Sequence, residues 1–424
     1  GGMWADTYSY VRLHQPHPTF TAGEREWSFR GTKPDTHLAT KSEILAHFED
    51  IAEAVVTETG INVVFLWGHE YESHVVENGR IRLRALPCVT QGEGLLPVDV
   101  LADHMIKATG YNIKSRVPWV FPTAVGRVHC MVPNDISAPK WSAMLRYSRD
   151  ADKPIYVVGS GKTAMDTIIA LAGLGARVAS RVQCIAGRGT WFMNRDYALS
   201  MKVSLDICDM YDGTNAQEVY KILSARQILH SAIPDPKCFS LGVCSSGEID
   251  QVRRVLHPIE ERVTKGHLVD VTNDAQFGLN LILRSLEGNT YLKPLPSGSF
   301  IIDCTDSIGF ETSQLEPIVS DDGLVLAPQA CCGFSGQTNH LLTHAWYLGK
   351  LKPELWKQLP HAPLGEQGKK EEFGLRLLYT VFVCTSIVSS VLPKDIQRST
   401  KAITSSRSPP EPAVLKEVRE KLPA

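Results

Sequence analysis

The residues best suited to chemistry lie in Gly159-Ser160-Gly161-Lys162-Thr163-Ala164, a G-x-G-x-x-A spacing. In that spacing the first glycine makes a tight turn and the second lets a backbone approach a pyrophosphate. The small sixth residue lets a helix lie close to a strand. The N–H groups of the first helical turn face the ligand, and the helix dipole favours its negative charge. The chemistry implied is dinucleotide binding. It requires a strand before the glycines and a helix after them. Residues 155–158 are an apolar, largely β-branched run of the kind a parallel strand buried on both faces needs. Residues 165–174 form an apolar helical stretch ended by Gly175, and a second strand is expected over 182–186. Gly161-Lys162-Thr163 would also suit the end of a P-loop, but that motif needs Gly at position 156, where Tyr156 stands.

The choice of dinucleotide is read after the second strand. An Asp or Glu there would bond a ribose 2′-hydroxyl. The chain carries Gly187-Arg188-Gly189-Thr190 instead, and a guanidinium suits a 2′-phosphate. NADPH is therefore expected in preference to NADH. Lys162 and Arg195 are further candidate phosphate partners.

With 424 residues, 43% hydrophobic and 21% charged, the chain can bury one large core or two ordinary ones. A net charge of −2 gives no electrostatic case for nucleic acid or an anionic membrane. Ten cysteines with no C-x-x-C read as thiols of a reducing compartment, so a cytoplasmic location is expected. No metal site is expected: Cys238 and Cys244 lack partners at zinc spacing, and His340 and His344 lack a third ligand nearby. The apolar stretch 375–392 contains Thr380, Thr385, Ser386, Ser389 and Ser390, and reads as a helix packed on the body. Membrane association through it is the alternative. No signal peptide is visible.

The elements that must position these residues follow from periodicity and turn signals. A helix is expected over 42–59 with Ser42 as its cap, then strands over 61–67, 73–77 and 80–86. Further helices are expected over 216–229, 248–255 and 336–351. Strands are expected over 267–271, 279–284, 300–304 and 324–327. The tail from 397 onward reads as mobile.

Several pieces together resemble the class B flavin-dependent monooxygenases and their FAD/NAD(P)-binding relatives with two dinucleotide domains. Gly1, Gly2, Trp4, Tyr10 and Arg12 match that family's Gly-Gly-x-Trp segment with its downstream Tyr and Arg. Lys107-Ala-Thr-Gly-Tyr111 matches its interdomain linker, Arg188 its phosphate-reading arginine, and Ile301-Ile-Asp-Cys-Thr305 its return to the FAD domain. The resemblance covers roughly residues 1–350. It implies an α/β fold with two Rossmann-like domains, the NADPH domain inserted in the FAD domain. The expected divisions are a partial FAD domain over 1–108, the NADPH domain over 109–297 and a return to the FAD domain over 298–350. A C-terminal helical segment over 351–396 and the tail over 397–424 follow. The resemblance further implies NADPH and FAD as cofactors, with a small-molecule substrate and O2 as partners. NADPH would reduce FAD, and one oxygen atom would pass to a soft nucleophile or a ketone. Gly2, Trp4, Arg12, His14 and Gln15 would lie against the flavin, and a helix beginning at Gly336 and Gln337 would point at its ring.

That family's first G-x-G-x-x-G would precede Gly1, and Gly92-Glu93-Gly94 is a poor substitute, with Pro97 nearby and no helical pattern after it. The chain thus reads as a family member whose first β-α-β unit is missing. Residues 3–16 hold no Cys, which excludes a disulfide reductase. Two alternatives stand beside the monooxygenase: a flavin oxidoreductase that inserts no oxygen, and a non-catalytic NADPH-binding remnant or incomplete gene model. The substrate is not legible, because pocket residues in such folds come from scattered loops.

Overall fold

The computed structural model describes residues 2–21, 25–88, 94–109, 117–198, 201–305, 317–328, 330, 336–360 and 371–394. Its helices are α1 (Met3–Asp6), α2 (Lys41–Glu58), α3 (Pro139–Tyr147), α4 (Lys162–Gly173), α5 (Ala176–Ala179) and α6 (Met201–Met210). They continue with α7 (Ala216–Ala225), α8 (Ser246–Val255), α9 (Ile259–Arg262), α10 (Gly336–Tyr347), α11 (Pro353–Trp356) and α12 (Phe373–Ser389). The strands are β1 (His69–Glu77), β2 (Arg80–Pro87), β3 (Val98–Ala102), β4 (Met105–Ile106), β5 (Val128–Met131), β6 (Ile155–Val158), β7 (Val182–Ile185) and β8 (Thr190–Asn194). After them come β9 (Leu229–His230), β10 (Cys238–Cys244), β11 (Val263–Thr264), β12 (His267–Asp274), β13 (Gly278–Arg284), β14 (Thr290–Pro294), β15 (Ser299–Asp303) and β16 (Val325–Leu326).

The fold is mixed α/β, organised on a five-stranded sheet of order β11-β7-β6-β15-β5 in which every pairing is parallel. The sequence dictates why β6 lies inside it. All four of its residues are apolar and all four are buried. Ile155 and Val157 face a core built with α3, α4, α5 and α8. Tyr156 and Val158 face the opposite core, beneath the antiparallel meander β12-β13-β14. Each fully buried aliphatic side chain contributes about 1.5–3 kcal/mol, so a polar residue at any of these positions would expose a loss on one face. The unit β6-α4-β7 is the expected crossover. β6 pairs with β7 on one side and with β15 on the other, so the carboxyl end of β6 is a topological switch point, where ligands of such sheets bind.

Several expectations are corrected. The 299–303 strand, read as part of a return to a second domain, is paired between β6 and β5, so the boundary at 298 cuts through one sheet. Its Phe300, Ile301 and Ile302 are buried on both faces, a demand only an interior strand meets. The 61–67 run forms no strand: it lies between Gly60 and Gly68, both at positive φ, with no ladder partner among the described residues. All its apolar side chains but the half-buried Val63 are exposed, Trp67 at 73%. The cap of α2 is Thr40, not Ser42, because Thr40 and Glu43 close a reciprocal capping box. The expected 216–229 helix ends at Ala225, where Gln227 takes a φ of 58° and Leu229 opens β9.

A second sheet, β10-β8-β9, packs against α6, α7 and the start of α12 in a core that includes Phe239, Tyr220 and Leu375. The rest of α12 packs with α10 around Leu342, Cys384 and Val388. The 375–392 stretch is thus helical to Ser389 and packed on the body, and no helix among the described residues is long and apolar enough to cross a membrane. The pair β4-β16 is a separate short parallel ladder. Residues 110–111 of the linker motif, 92–93, Cys331, Cys332 and the tail lie outside the described residues.

Candidate dinucleotide-binding site

The chain leaves β6 at Gly159, whose φ of 121° suits glycine and whose added Cβ would stand 2.5 Å from the Cys304 carbonyl oxygen at the end of β15. Gly159 is therefore small for the protein's own sake. Gly161 differs. It is the N-cap of α4 at φ −79°, and no described residue lies within 4 Å of where its Cβ would be. Gly161 has no side chain to cap α4, and among the described residues the first-turn N–H groups of Lys162, Thr163 and Ala164 meet no side-chain acceptor. Ala164 is fully buried against the sheet, the close contact its size allows. Ser160 is buried and its Oγ lies 3.1 Å from Thr190 Oγ1, which ties the turn to the start of β8. An open, uncapped helix start at a switch point can hold an anion on backbone donors.

A polar cluster lies beside it. Lys162 Nζ bonds Asp166 one turn along α4 and reaches Glu248 Oε1 at 3.2 Å. Glu248 Oε2 accepts from Arg195 at 2.5 Å and, as the third residue of α8, from the Ser245 N–H and hydroxyl in a capping box. Burial works to raise the Glu248 carboxyl. Lys162, the Ser245 N–H and Arg195 outweigh it and hold the group down to about 2. Burial likewise works against the Lys162 charge, but the neighbouring Asp166 and Glu248 carboxylates keep the ammonium protonated. Two cations and two carboxylates thus neutralise one another.

The N-terminal segment lies across α4. The Tyr8 hydroxyl donates to Asp166 Oδ2 at 3.0 Å, and the Tyr10 hydroxyl lies 3.0 Å from Thr167 Oγ1. The His14 carbonyl accepts from Arg195 Nε at 2.9 Å. The His14 Nδ1 is buried without a partner among the described residues. Burial, then the charges of Lys162 and Arg195, lower the ring to about 4, so it is neutral at physiological pH.

Among the residues singled out from sequence, the structure brings Ser160, Lys162, Ala164, His14 and Arg195 to one place. It leaves others elsewhere. Arg188 is exposed on the loop after β7, its Nε 3.6 Å from Glu371 Oε1, a weak surface pair. Trp4 packs with Leu13, Ala39 and Ile44, and Arg12 donates to the Leu38 carbonyl at 3.2 Å. Gly2 precedes α1 at a φ of 64°, and Gln15 is half-buried. A helix does begin at Gly336, but the side-chain surroundings of Gly336 and Gln337 lie outside the description. No cluster of three or more metal-ligating side chains occurs among the described residues. Tyr8, Asp166, Thr190 and Glu248 were not read from sequence. Two local signals were there to find: Asp166 at i+4 from Lys162, and the Ser245-x-x-Glu248 capping pattern.

The class defined by this topology and turn is an α/β protein with a parallel dinucleotide-type sheet. No family model matches the chain. An uncharacterised protein of Mycobacterium tuberculosis is 25% identical over 393 residues, an alignment covering 85% of this chain and 64% of that protein. The chain therefore spans less than two thirds of the length of the curated relatives it matches. Among solved structures, the cadaverine monooxygenase of desferrioxamine biosynthesis from Erwinia amylovora, bound to FAD, is 14% identical with a TM-score of 0.39. It covers 80% of this chain and 73% of its own. The ornithine N-hydroxylase of Kutzneria sp. 744, with reduced FAD, NADP+ and L-ornithine, is 15% identical with a TM-score of 0.32 over 61% and 57% of the two chains. Scores at this level define neither the fold nor the chemistry of this chain.

Proposed function

We propose that the chain is an NADPH-dependent flavoprotein oxidoreductase of monooxygenase type, acting on a small molecule with O2. One observation carries the reading: among the described residues the start of α4 is uncapped and open above Gly161, at the carboxyl end of β6. Arg188 on the loop after β7 adds the preference for a 2′-phosphate. The residues fit NADPH. The first-turn N–H groups of α4 would hold the pyrophosphate, the space above Gly161 would receive it, and Arg188 would exchange Glu371 for the 2′-phosphate. Bound there, NADPH supplies a hydride. The Lys162–Asp166–Glu248–Arg195 cluster fixes the helix start and the segment carrying His14 relative to one another. His14 is neutral, and its buried Nδ1 has no partner among the described residues.

For FAD the described residues do not assemble a holder. Trp4 and Arg12 are engaged with residues 38–44, and His14 faces the α4 cluster. A flavin is implied by the sequence resemblance alone, and the substrate is a small molecule of unspecified class.

The test is a binding titration of NADPH and NADH. Arg188→Ala should weaken NADPH about ten- to a hundredfold and leave NADH nearly unchanged, as expected for a charge-assisted phosphate contact. Gly161→Val should fold, because its Cβ meets no described residue within 4 Å and its φ is ordinary, yet it should abolish binding of both. Retained affinity in folded Gly161→Val, or equal loss of both dinucleotides in Arg188→Ala, would overturn the assignment.

A further inference from the structure

The segment from Tyr8 to Thr21 has little regular structure: a 3-10 turn (His17–Phe20) and a single bridge from Arg12 to Thr40. Its neighbours hold it in place. On one side Tyr8 and Tyr10 bond α4, and the His14 carbonyl accepts from Arg195. On the other side Leu13 joins a small core outside the parallel sheet, with Ala39 and Ile44, against which Trp27 and Phe29 pack. His17 and, on α2, His47 are built into that second set, at 8% and 2% exposed. The His17 Nδ1–H donates to the His37 carbonyl at 3.2 Å, and the ring meets Trp27 and Phe29 edge-on at 5.5 and 4.7 Å. The His47 ring stacks on Trp27 at 4.0 Å, and the Trp27 indole donates to Thr21 Oγ1 at 2.9 Å.

These surroundings suit neutral rings. Among the described residues, the titratable groups around His17 are His37, Asp35 and Glu43, and those around His47 are Asp50, His17 and Arg25. Glu43 is already taken by His37 at 2.9 Å and by the Thr40 N–H, and Asp50 by two Arg25 bonds at 2.8 Å. A ring stacked on an indole can gain from a charge, but at His47 burial, His17 and Arg25 weigh against one. Burial lowers both rings from the ordinary imidazole value. His14, within the same segment, is buried beside Lys162 and Arg195 and is neutral as well.

We propose that residues 8–21 are an acid-released strap, closed while His14, His17 and His47 are neutral and lifted from α4 and α2 when they take up protons. Each histidine is harder to charge in the closed form than in water, where an imidazole titrates near about 6.5. The stability they lend the closed form is therefore complete above about pH 6.5 and is lost as pH falls toward their folded values. Asp166, whose carboxyl burial raises, works the other way, and Glu248, held at about 2, stays ionised throughout. Lifting the strap takes the His14 carbonyl from Arg195 and the Tyr8 hydroxyl from Asp166, so acid loosens the cluster beside the α4 start. The strap requires no ligand and stands apart from the NADPH reading.

The test is hydrogen exchange read by mass spectrometry on the full chain without ligand, at about pH 7.5 and 5.5, corrected for the intrinsic pH dependence of exchange. Over that range each histidine multiplies the opening constant by up to about ten. Opening of residues 8–21 should therefore rise at least about tenfold, while β6 and β15 stay protected. His47→Phe keeps a ring on Trp27 and takes no proton, and His17→Gln removes the other titration. Each should cut the pH ratio about three- to tenfold whatever it does to the rate at pH 7.5, whereas a merely structural role would change the rates at both pH values alike. The parent ratio decides even where a variant fails to fold. A parent ratio below about three, a folded double variant that keeps the parent ratio, or β6 and β15 opening in step with the strap would overturn the proposal.

Discussion

Replacing Glu248 with Gln isolates one charge in the cluster beside the helix start. The side chain keeps its length and can still accept the Ser245 hydrogen bonds, but Lys162 and Arg195 lose the carboxylate they share. The magnitude follows from proton affinity. Each tenfold change is worth about 1.4 kcal/mol, and the carboxyl is held from the ordinary 4.5 down to about 2. Its charged form therefore contributes about 3 kcal/mol, in keeping with the cost of breaking a buried pair from one side. The folded value lies below the unfolded one, so this stability is complete above about pH 4.5 and is lost as pH falls through about 2. Urea unfolding of the parent and Glu248→Gln across pH 7 to 3 should show a difference of about 3 kcal/mol at neutral pH, shrinking to about 1 kcal/mol at pH 3. A gap under about 0.5 kcal/mol at pH 7, or one that stays constant down to pH 3, would refute the ionic account of Glu248.

Gly159→Ala should fail to accumulate as folded protein or lose more than about 3 kcal/mol, because it combines a left-handed backbone with a clash on Cys304; an unchanged melting temperature would contradict the tight turn. Tyr8→Phe removes the hydroxyl that donates to the buried Asp166 and should cost about 1.5–3 kcal/mol. Limited proteolysis should then cut within residues 2–21 faster than in the parent, and equal rates would show that the segment is held by its other contacts.

The β6-α4-β7 unit was legible because two separate demands coincide in a few residues. A strand buried on both faces must be apolar throughout, and a chain turning over the end of a neighbouring strand must be glycine. The 61–67 run shows why composition alone is weaker. Its β-branched and aromatic residues favour an extended backbone, but a strand exists only where a second strand supplies the ladder, and none does so among the described residues. The insertion of β15 between β6 and β5 was illegible for a related reason. Phe300 to Ile302 announce a buried strand without naming the sheet they enter.

The candidate site divides along the same line. Lys162 with Asp166 and Ser245 with Glu248 are pairs within one helical turn, open to anyone counting residues. Their union through Glu248, 86 residues from Lys162, exists only after α8 packs on α4. The fingerprint itself splits once the neighbours are known. Gly159 is explained by Cys304, Ala164 by the core beneath α4, and Ser160 by Thr190. Among the described residues nothing explains Gly161: its φ suits any residue, and none of them lies within 4 Å of where its Cβ would stand. A side chain there would cost the fold little and would stand where a pyrophosphate meets the helix start. That is why Gly161→Val, a variant expected to fold, bears most directly on function.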